Sequence, residues 1–180
     1  PAVGNRDQKD LERIYEKAAV VVEARYDTQV QTHSSLETHG GVIDYRGDMA
    51  EAWGSTQGTF AYQEGLLGVL DLPASKVIVH NEFIGGGFGS KFGPGAEGTL
   101  AARMSRKYKR PCKVMLDRRE EHLDTGNRPG SIQYMKLGAD KDGKILGGRI
   151  HCASVIGYQR GGGGVRNPVD NMYDFGDVKR

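Results

Sequence analysis

The chain has 180 residues, with 25 Lys and Arg against 23 Asp and Glu, so its formal net charge is only +2. The two signs are mixed along the sequence, which argues against a nucleic-acid-binding surface, and there is no run of about 18 apolar residues that would predict a membrane span. Two cysteines, Cys112 and Cys152, are too few for a zinc cluster, and we expect both to be small buried apolar residues on strands.

The first part of the chain is predicted to contain one helix followed by strands. Apolar side chains recur at helical spacing between residues 7 and 19, and residues 20–26 then have strand-like composition. Residues 41–45 and 49–54 alternate between apolar and polar side chains, as expected for the two strands of a β-hairpin. The RGD triplet at 46–48 is typical of the turn between them.

Two helices are predicted in the middle of the chain. The first is capped by the STQ sequence at 55–57 and runs to about Val69, and the second covers residues 97–107. The side chains predicted to face inward are Phe60, Leu66, Leu67 and Leu70 in the first helix, and Leu100, Ala101 and Met104 in the second.

The remaining segments complete an α+β pattern. They are predicted as a strand at 76–84, a strand at 111–116, a short helix from 117, and two strands at 132–137 and 145–155 joined by a turn. Strands alternating with helices, together with hairpins, predict mixed sheets with packed helices. We expect this domain to cover residues 1–156, and the glycine-rich residues 157–180 to form a flexible tail or linker.

The sequence GGGFGSK at residues 85–91, here called the 85–91 loop, lies between a predicted strand and a predicted helix. Glycine permits positive φ and allows a ligand to approach the backbone N–H groups, so we interpret the loop as a site for a polar, anionic cofactor. It lacks the glycine spacing of a dinucleotide site, and Lys91 is followed by Phe92 rather than by the Ser or Thr of a P-loop. The alternative is a tight turn with Phe88 buried in the core.

The segment at residues 31–39 is dense in potential ligands. His33, Glu37 and His39 could form a metal site, but their spacing matches neither a helical histidine pair nor a zinc pattern. We therefore expect these side chains to hold the loop structure through hydrogen bonds.

Four sequence blocks occur in a particular order: QTHSSLETH at 31–39, STQ at 55–57, the 85–91 loop, and RPCKVMLDR at 110–118. In this order and spacing the chain resembles the molybdenum-cofactor subunit of the xanthine dehydrogenase / aldehyde oxidase family, over about residues 20–156. The resemblance implies a molybdopterin-binding domain that takes part in the oxidative hydroxylation of an aldehyde or of an N-heterocycle.

The resemblance also implies how the cofactors are arranged. Molybdenum is held by the dithiolene of molybdopterin, so no protein side chain is expected to bind the metal directly. Iron–sulfur clusters and FAD are expected on partner subunits or domains. Relatives of this kind are mostly cytoplasmic, and some bacterial ones are exported to the periplasm.

The resemblance also implies roles for individual residues at the matching positions. Gln31 would donate its side-chain amide to an oxygen on molybdenum, and Gly87, Phe88 and Gly89 would bind the cofactor, the last two through their backbone N–H groups. The Phe88 ring would form a wall of the substrate pocket. Purine-oxidising relatives carry a glutamate where this chain has Phe92, so the resemblance favours an aldehyde or an apolar aromatic substrate over xanthine.

The chain is expected to be a fragment of a larger subunit. It starts at Pro1 without Met, and the glutamate that serves the family as general base belongs to a later segment, so we assign no catalytic residue within the chain and expect it to be inactive alone. The alternative function is a non-catalytic α+β binding or assembly domain whose glycine loop is purely structural.

Overall fold

The computed structural model describes residues 8–155, which divide into two compact units. One unit contains the chain up to Gln31 and from Arg128 onward, and the other is Thr32–Asn127. The tail predicted at residues 157–180 lies outside the described residues. No helix among residues 8–155 has the length and apolar character needed to cross a bilayer.

The helices are α1 (Gln8–Lys17), α2 (Thr59–Leu70), α3 (Gly95–Tyr108) and α4 (Arg118–Asp124). The strands are β1 (Val20–Thr28), β2 (Gln31–Thr32), β3 (Gly40–Tyr45), β4 (Ala50–Gly54), β5 (Val77–His80), β6 (Cys112–Met115), β7 (Asn127–Arg128), β8 (Gly130–Ala139) and β9 (Ile145–Val155). The short strands β2 and β7 form a two-stranded sheet. The predicted α+β class is therefore confirmed.

The unit that contains β1, β8 and β9 is an antiparallel three-stranded sheet in that order. Helix α1 packs on β8 and β9, and its Tyr15 hydroxyl donates a hydrogen bond of 3.2 Å to the Lys136 carbonyl. The predicted turn between β8 and β9 is confirmed, because the Asp140 N–H donates to the Lys144 carbonyl and the Asp140 side chain accepts from the Lys144 N–H.

The Thr32–Asn127 unit is built on a four-stranded mixed sheet in the order β5-β4-β3-β6. Strand β5 runs parallel to β4, whereas the β3–β4 and β3–β6 pairs are antiparallel. Helices α2 and α3 pack on the sheet and on each other. The core between them consists of Ile43, Tyr45, Ala50, Ala52, Tyr62, Leu66, Leu70, Val77, Ala101 and Ala102.

Helix α2 turns inward the face that the sequence predicts, except at its first aromatic residue. Leu66 and Leu70 are buried as expected, but Phe60 is 85 % exposed, so that prediction is wrong. The buried aromatic residue is Tyr62, which lies on the same helical face as Leu66 and Leu70 at four-residue spacing. Phe60 precedes Tyr62 by two residues, which places it on the opposite side of the helix.

Helix α3 approaches the sheet through small side chains. Its buried positions include Gly98, Ala101, Ala102 and Ser105, and the Ser105 hydroxyl accepts a 2.8 Å hydrogen bond from the Tyr45 N–H on β3. A helix that packs this closely has no room for large side chains on that face. The inward placement predicted for Leu100 and Met104 is accordingly wrong, since both are exposed.

Three further predictions need correction. The strand predicted over residues 76–84 is only β5, four residues long, and the segment after it is irregular. Cys112 and Cys152 lie on strands as expected, but both are free and half-buried rather than buried. The N-cap of α2 is Gly58 with no side-chain cap, so residues 55–57 do not cap that helix.

Candidate functional site

The 85–91 loop contains a tight turn whose two central residues both have positive φ. Phe88 has φ +51° and Gly89 has φ +91°, and the Ser90 N–H and hydroxyl both donate to the Gly87 carbonyl, at 3.0 and 2.8 Å. A bulky residue with positive φ is uncommon and carries a conformational cost of roughly 1 kcal/mol. The surrounding contacts must therefore hold the turn in this conformation.

The Phe88 side chain is 72 % exposed, so the alternative in which its ring is buried in the core is wrong. The ring lies over the backbone of Gly86, where an added Cβ would be 2.9 Å from the ring atom Cε2. Among residues 8–155, no hydrogen-bond acceptor meets the Phe88 N–H, and an added Cβ at Gly89 would meet nothing within 4 Å. The outer side of the turn thus offers an aromatic ring, a free donor and open space.

Gln57 braces the turn from the opposite side. Its side-chain Oε1 accepts hydrogen bonds from the N–H groups of Gly89 and Lys91, at 2.8 and 3.4 Å, and its own N–H donates to the Lys91 carbonyl at 2.7 Å. An added Cβ at Gly87 would lie 2.4 Å from Oε1. Sequence reasoning missed this role because it assigned the STQ block to a helix cap.

Thr56 and Asn81 fix the same region. The Thr56 hydroxyl lies 3.0 Å from the carbonyl oxygens of both Lys91 and Phe92, and it accepts a hydrogen bond from the Gly58 N–H. The Asn81 side-chain amide donates to the Thr56 carbonyl. Residues 55–57 therefore hold the end of the loop rather than the start of α2.

Glu37 and Lys91 tie the two ends of the loop together. Glu37 Oε2 accepts from the Gly85 N–H at 2.7 Å and from the Ser55 hydroxyl at 2.9 Å, while the Glu37 N–H donates to the Gly85 carbonyl at 3.2 Å. The Lys91 ammonium donates to the Glu37 carbonyl at 2.6 Å and lies 3.8 Å from Glu37 Oε2. Burial lowers the pKa of Lys91, and the Glu37 carboxylate opposes this effect.

A buried pair, His39 and Glu121, connects the 31–39 segment to α4. Glu121 Oε2 accepts from the His39 N–H at 2.8 Å and lies 3.0 Å from the ring nitrogen Nδ1. Asp117 and Glu120 form a capping box at the start of α4, so the helix that carries Glu121 has a well-defined first turn. These contacts agree with the expectation that Glu37 and His39 hold loop structure. Among residues 8–155 no group of three potential ligands could hold a metal ion.

Glu121 is expected to make the protein less stable at acid pH. Burial alone would raise its pKa, but the two hydrogen bonds from His39 and the charges of His39 and Lys91 outweigh burial, and the pKa lies below the ordinary 4.5. The unfolded state then binds more protons, so this stabilisation is complete above pH 4.5 and is lost as pH falls through the folded-state pKa.

Urea unfolding measured at several pH values from neutral to strongly acidic tests this expectation. The free energy of unfolding should decline more steeply for the wild type than for Glu121→Gln, which has no carboxylate to titrate. Parallel declines for the two proteins would assign the acid sensitivity to other groups.

The remaining predicted site residues lie in different environments. Gly87 is buried in the loop, and Phe92 follows the loop with half of its side chain exposed. Gln31 is exposed on β2 and belongs to the other unit of the chain. The structure thus brings Gly87, Phe88 and Gly89 together, with Gln57 as the glutamine that contacts them.

The arrangement fits an anionic cofactor that is held by backbone groups. The free Phe88 N–H is a donor for such a ligand, and the absence of a side chain at Gly89 leaves room beside it. The Gly89 N–H is already used by Gln57, so this donor would need an exchange of partners. No protein ligand to the metal is required of a cofactor that brings its own sulfur ligands.

Comparison with known proteins gives a consistent result. The sequence matches the family model of the molybdopterin cofactor-binding domain over residues 2–179. The aldehyde oxidoreductase molybdenum-binding subunit PaoC of Escherichia coli is 35 % identical over 136 residues, which are 76 % of this chain and 19 % of that protein. Xanthine dehydrogenase of Drosophila subobscura is 35 % identical over 130 residues, 71 % of this chain and 10 % of that protein.

Among solved structures, quinoline 2-oxidoreductase from Pseudomonas putida 86 is similar, with a TM-score of 0.66 and 26 % identity over 79 % of this chain and 18 % of that chain. The chain therefore spans between 10 % and 19 % of the length of these relatives.

Proposed function

The chain belongs to the molybdopterin cofactor-binding domain family, and on that premise we propose that it supplies part of the cofactor and substrate pocket of a molybdenum hydroxylase. The observation that carries the proposal is the turn at Phe88 and Gly89. It is strained, its ring and one donor face outward, and several side chains hold it in place. Strain maintained by surrounding contacts is characteristic of functional loops.

The chain's own residues would bind and orient. Bound molybdopterin supplies a molybdenum centre that takes two electrons from the substrate carbon. The Phe88 N–H would donate to the cofactor or its ligands, and the exposed Phe88 ring would pack against a flat substrate. The resemblance assigns Gln31 the role of donating its side-chain amide to an oxygen on molybdenum, and Gln57 holds the turn through the Gly89 N–H.

We propose an aldehyde or an N-heterocycle as the substrate. Two of the relatives, an aldehyde oxidoreductase and a quinoline oxidoreductase, support this class. Phe92 has no charge with which to pair the polar edge of a purine, so it favours substrates with an apolar ring or chain. Iron–sulfur and FAD-containing subunits or domains are the proposed electron acceptors, and the cytoplasm is the proposed compartment.

The chain would form only part of the complete pocket. Residues 1–156 would form one part of a pterin-binding domain of a larger subunit. The rest of the cofactor pocket and the general base would come from other segments, so the isolated chain should carry no molybdenum and show no turnover. Stoichiometric molybdenum in the isolated chain, determined by elemental analysis, would contradict this expectation.

The test uses the full-length enzyme assembled with its partners. Phe88→Ala is expected to lower kcat/KM by about tenfold, because a flat substrate loses the ring against which it packs. Gln31→Ala is expected to lower the rate as well, through the loss of a donor to the cofactor. Molybdenum content and subunit assembly are measured alongside the rate and should remain normal for Phe88→Ala.

Phe60→Ala is the matched control, because Phe60 is an equally exposed phenylalanine on α2 of the same unit. Its rate should stay within about twofold of the wild-type rate. Normal rates for Phe88→Ala and Gln31→Ala would favour the alternative of an assembly domain with a structural loop.

A further inference from the structure

The two ends of the 85–91 loop meet at one residue, Glu37, which lies 48 positions before the first glycine of the loop. Its carboxylate accepts from the Gly85 N–H, and its carbonyl accepts from the Lys91 ammonium. Both bonds are short, at 2.7 and 2.6 Å, as expected when one partner is charged. Glu37 thus contacts both the entry and the exit of the loop.

The Lys91 side chain is fully buried, which is rare for a lysine and needs compensation. Its ammonium has the Glu37 carbonyl as hydrogen-bond acceptor and the carboxylates of Glu37 and Glu121 as neighbouring charges, with the Arg118 guanidinium opposing them. Because the Lys91 side chain is buried and its ammonium is bonded to Glu37, the side chain links the loop to the 31–39 segment rather than serving as a surface group.

We propose that Glu37 and Lys91 form a clamp of positioning residues, here called the Glu37–Lys91 clamp, that fixes the 85–91 loop in the conformation presenting Phe88. This inference rests on the proposed function for its effect on catalysis. The clamp contacts both loop ends through Glu37, whereas Gln57 contacts Gly89 in the middle of the loop and the backbone of Lys91 at its end. When both ends of the loop are held, the strained turn cannot relax to a negative φ at Phe88.

The exposure of Glu37 makes the clamp testable without unfolding the protein. About a third of its side chain is exposed, so truncation is tolerated better than at a core position. Glu37→Ala removes the acceptor for the Gly85 N–H and one counter-charge of Lys91. Glu37→Gln removes the charge but keeps a side-chain oxygen that can accept from Gly85 and Ser55.

Hydrogen–deuterium exchange read by mass spectrometry on peptides covering the loop, in the full-length assembled enzyme, tests the clamp. In Glu37→Ala the amides of residues 85–91 should exchange about tenfold faster than in the wild type, and Glu37→Gln should recover part of the protection. Glu51→Ala is the matched control. Glu51 is a half-buried carboxylate of the same unit, bonded to His80 and Arg46 outside the loop, and its loss should leave loop exchange unchanged.

Turnover measured on the same preparations separates the clamp from the proposed function. We expect kcat to fall about tenfold in Glu37→Ala and to recover partly in Glu37→Gln, because a mobile loop misplaces the Phe88 ring and N–H. Wild-type loop exchange in Glu37→Ala would overturn the clamp. Faster exchange with normal kcat would uphold the clamp as a loop restraint and overturn the placement of the loop at the pocket.

Discussion

Gly85→Ala is expected to reduce the turnover of the assembled enzyme by about 100-fold, the largest effect we predict for a single methyl group. An added Cβ at Gly85 would lie 2.4 Å from Glu37 Cβ, 3.0 Å from Glu37 N and 3.3 Å from Glu37 Cα. Two of these atoms belong to the backbone, so rotation of a side chain cannot relieve the overlap. The 31–39 segment and the loop must move apart.

That separation breaks both hydrogen bonds between the two segments. The Glu37 N–H loses the Gly85 carbonyl, and the Gly85 N–H loses the Glu37 carboxylate. The turn at Phe88 then loses the restraint at its start, and its ring and donor shift by a distance comparable to the overlap. Steady-state kinetics with molybdenum content per subunit as the reference would measure the effect.

Gly93→Ala is the control for this prediction. Gly93 follows the same loop, has no positive φ, and an added Cβ there would meet nothing within 4 Å. Its turnover should stay close to that of the wild type. Comparable losses for Gly85→Ala and Gly93→Ala would mean that any change near the loop is harmful and that the contact with Glu37 has no special role.

Gly54→Ala is expected to destabilise the Thr32–Asn127 unit by about 3 kcal/mol, which is a large share of the stability of an ordinary domain. An added Cβ at Gly54 would lie 2.5 Å from Cζ and 2.8 Å from Cε1 and Cε2 of the Tyr62 ring. Tyr62 is almost completely buried, and its hydroxyl oxygen would lie only 2.9 and 2.8 Å from Cβ atoms added at Gly41 and Gly98. The ring therefore has no free space into which it could move.

Gly68→Ala is the matched control for Gly54→Ala. Gly68 lies exposed within α2, and an added Cβ there would meet nothing within 4 Å. Alanine favours the helix, so this variant should gain about 1 kcal/mol in free energy of unfolding. Chemical denaturation of both variants measures the difference, and equal stabilities would contradict tight packing around Tyr62.

The burial of Tyr62 has a consequence that a titration can detect. Burial, with a smaller contribution from the Glu97 carboxylate, raises the pKa of Tyr62 to about 12. The same slot between β3, β4 and α3 that excludes a methyl group at Gly54 also excludes water from the hydroxyl. The raised pKa of Tyr62 therefore reports on the tight packing on which the prediction for Gly54→Ala depends.

Local sequence patterns were sufficient for the element types and for the family. The alternation in β3 and β4, the turn between β8 and β9, and the short helix predicted from residue 117 all depend on neighbouring side chains, so a short window contains the information. The family prediction from four ordered blocks is confirmed by the match over residues 2–179. The roles of Gln31, Gly87, Phe88, Gly89 and Phe92 in binding stay predictions.

Local patterns predicted the faces of the helices only in part. Leu66, Leu70 and Ala101 are buried as predicted, but Phe60, Leu100 and Met104 are equally apolar and are exposed. Helix α3 meets the sheet through small side chains, and the buried aromatic residue of α2 is Tyr62. Apolar character describes a residue alone, whereas burial depends on the shape of the opposite surface. The glycines that create this shape, Gly41, Gly54 and Gly98, lie on three different elements.

By itself, then, the amino-acid order determined that a glycine-rich turn with one aromatic ring sits between a strand and a helix in a chain of this family. Only the tertiary structure decided that the ring faces outward and that Gln57, Glu37 and Lys91 hold the turn. These contacts join residues 32 to 54 positions apart. Hydrogen bonds and charge pairs at that separation form only after the strands have packed, and no local pattern encodes which partners will meet.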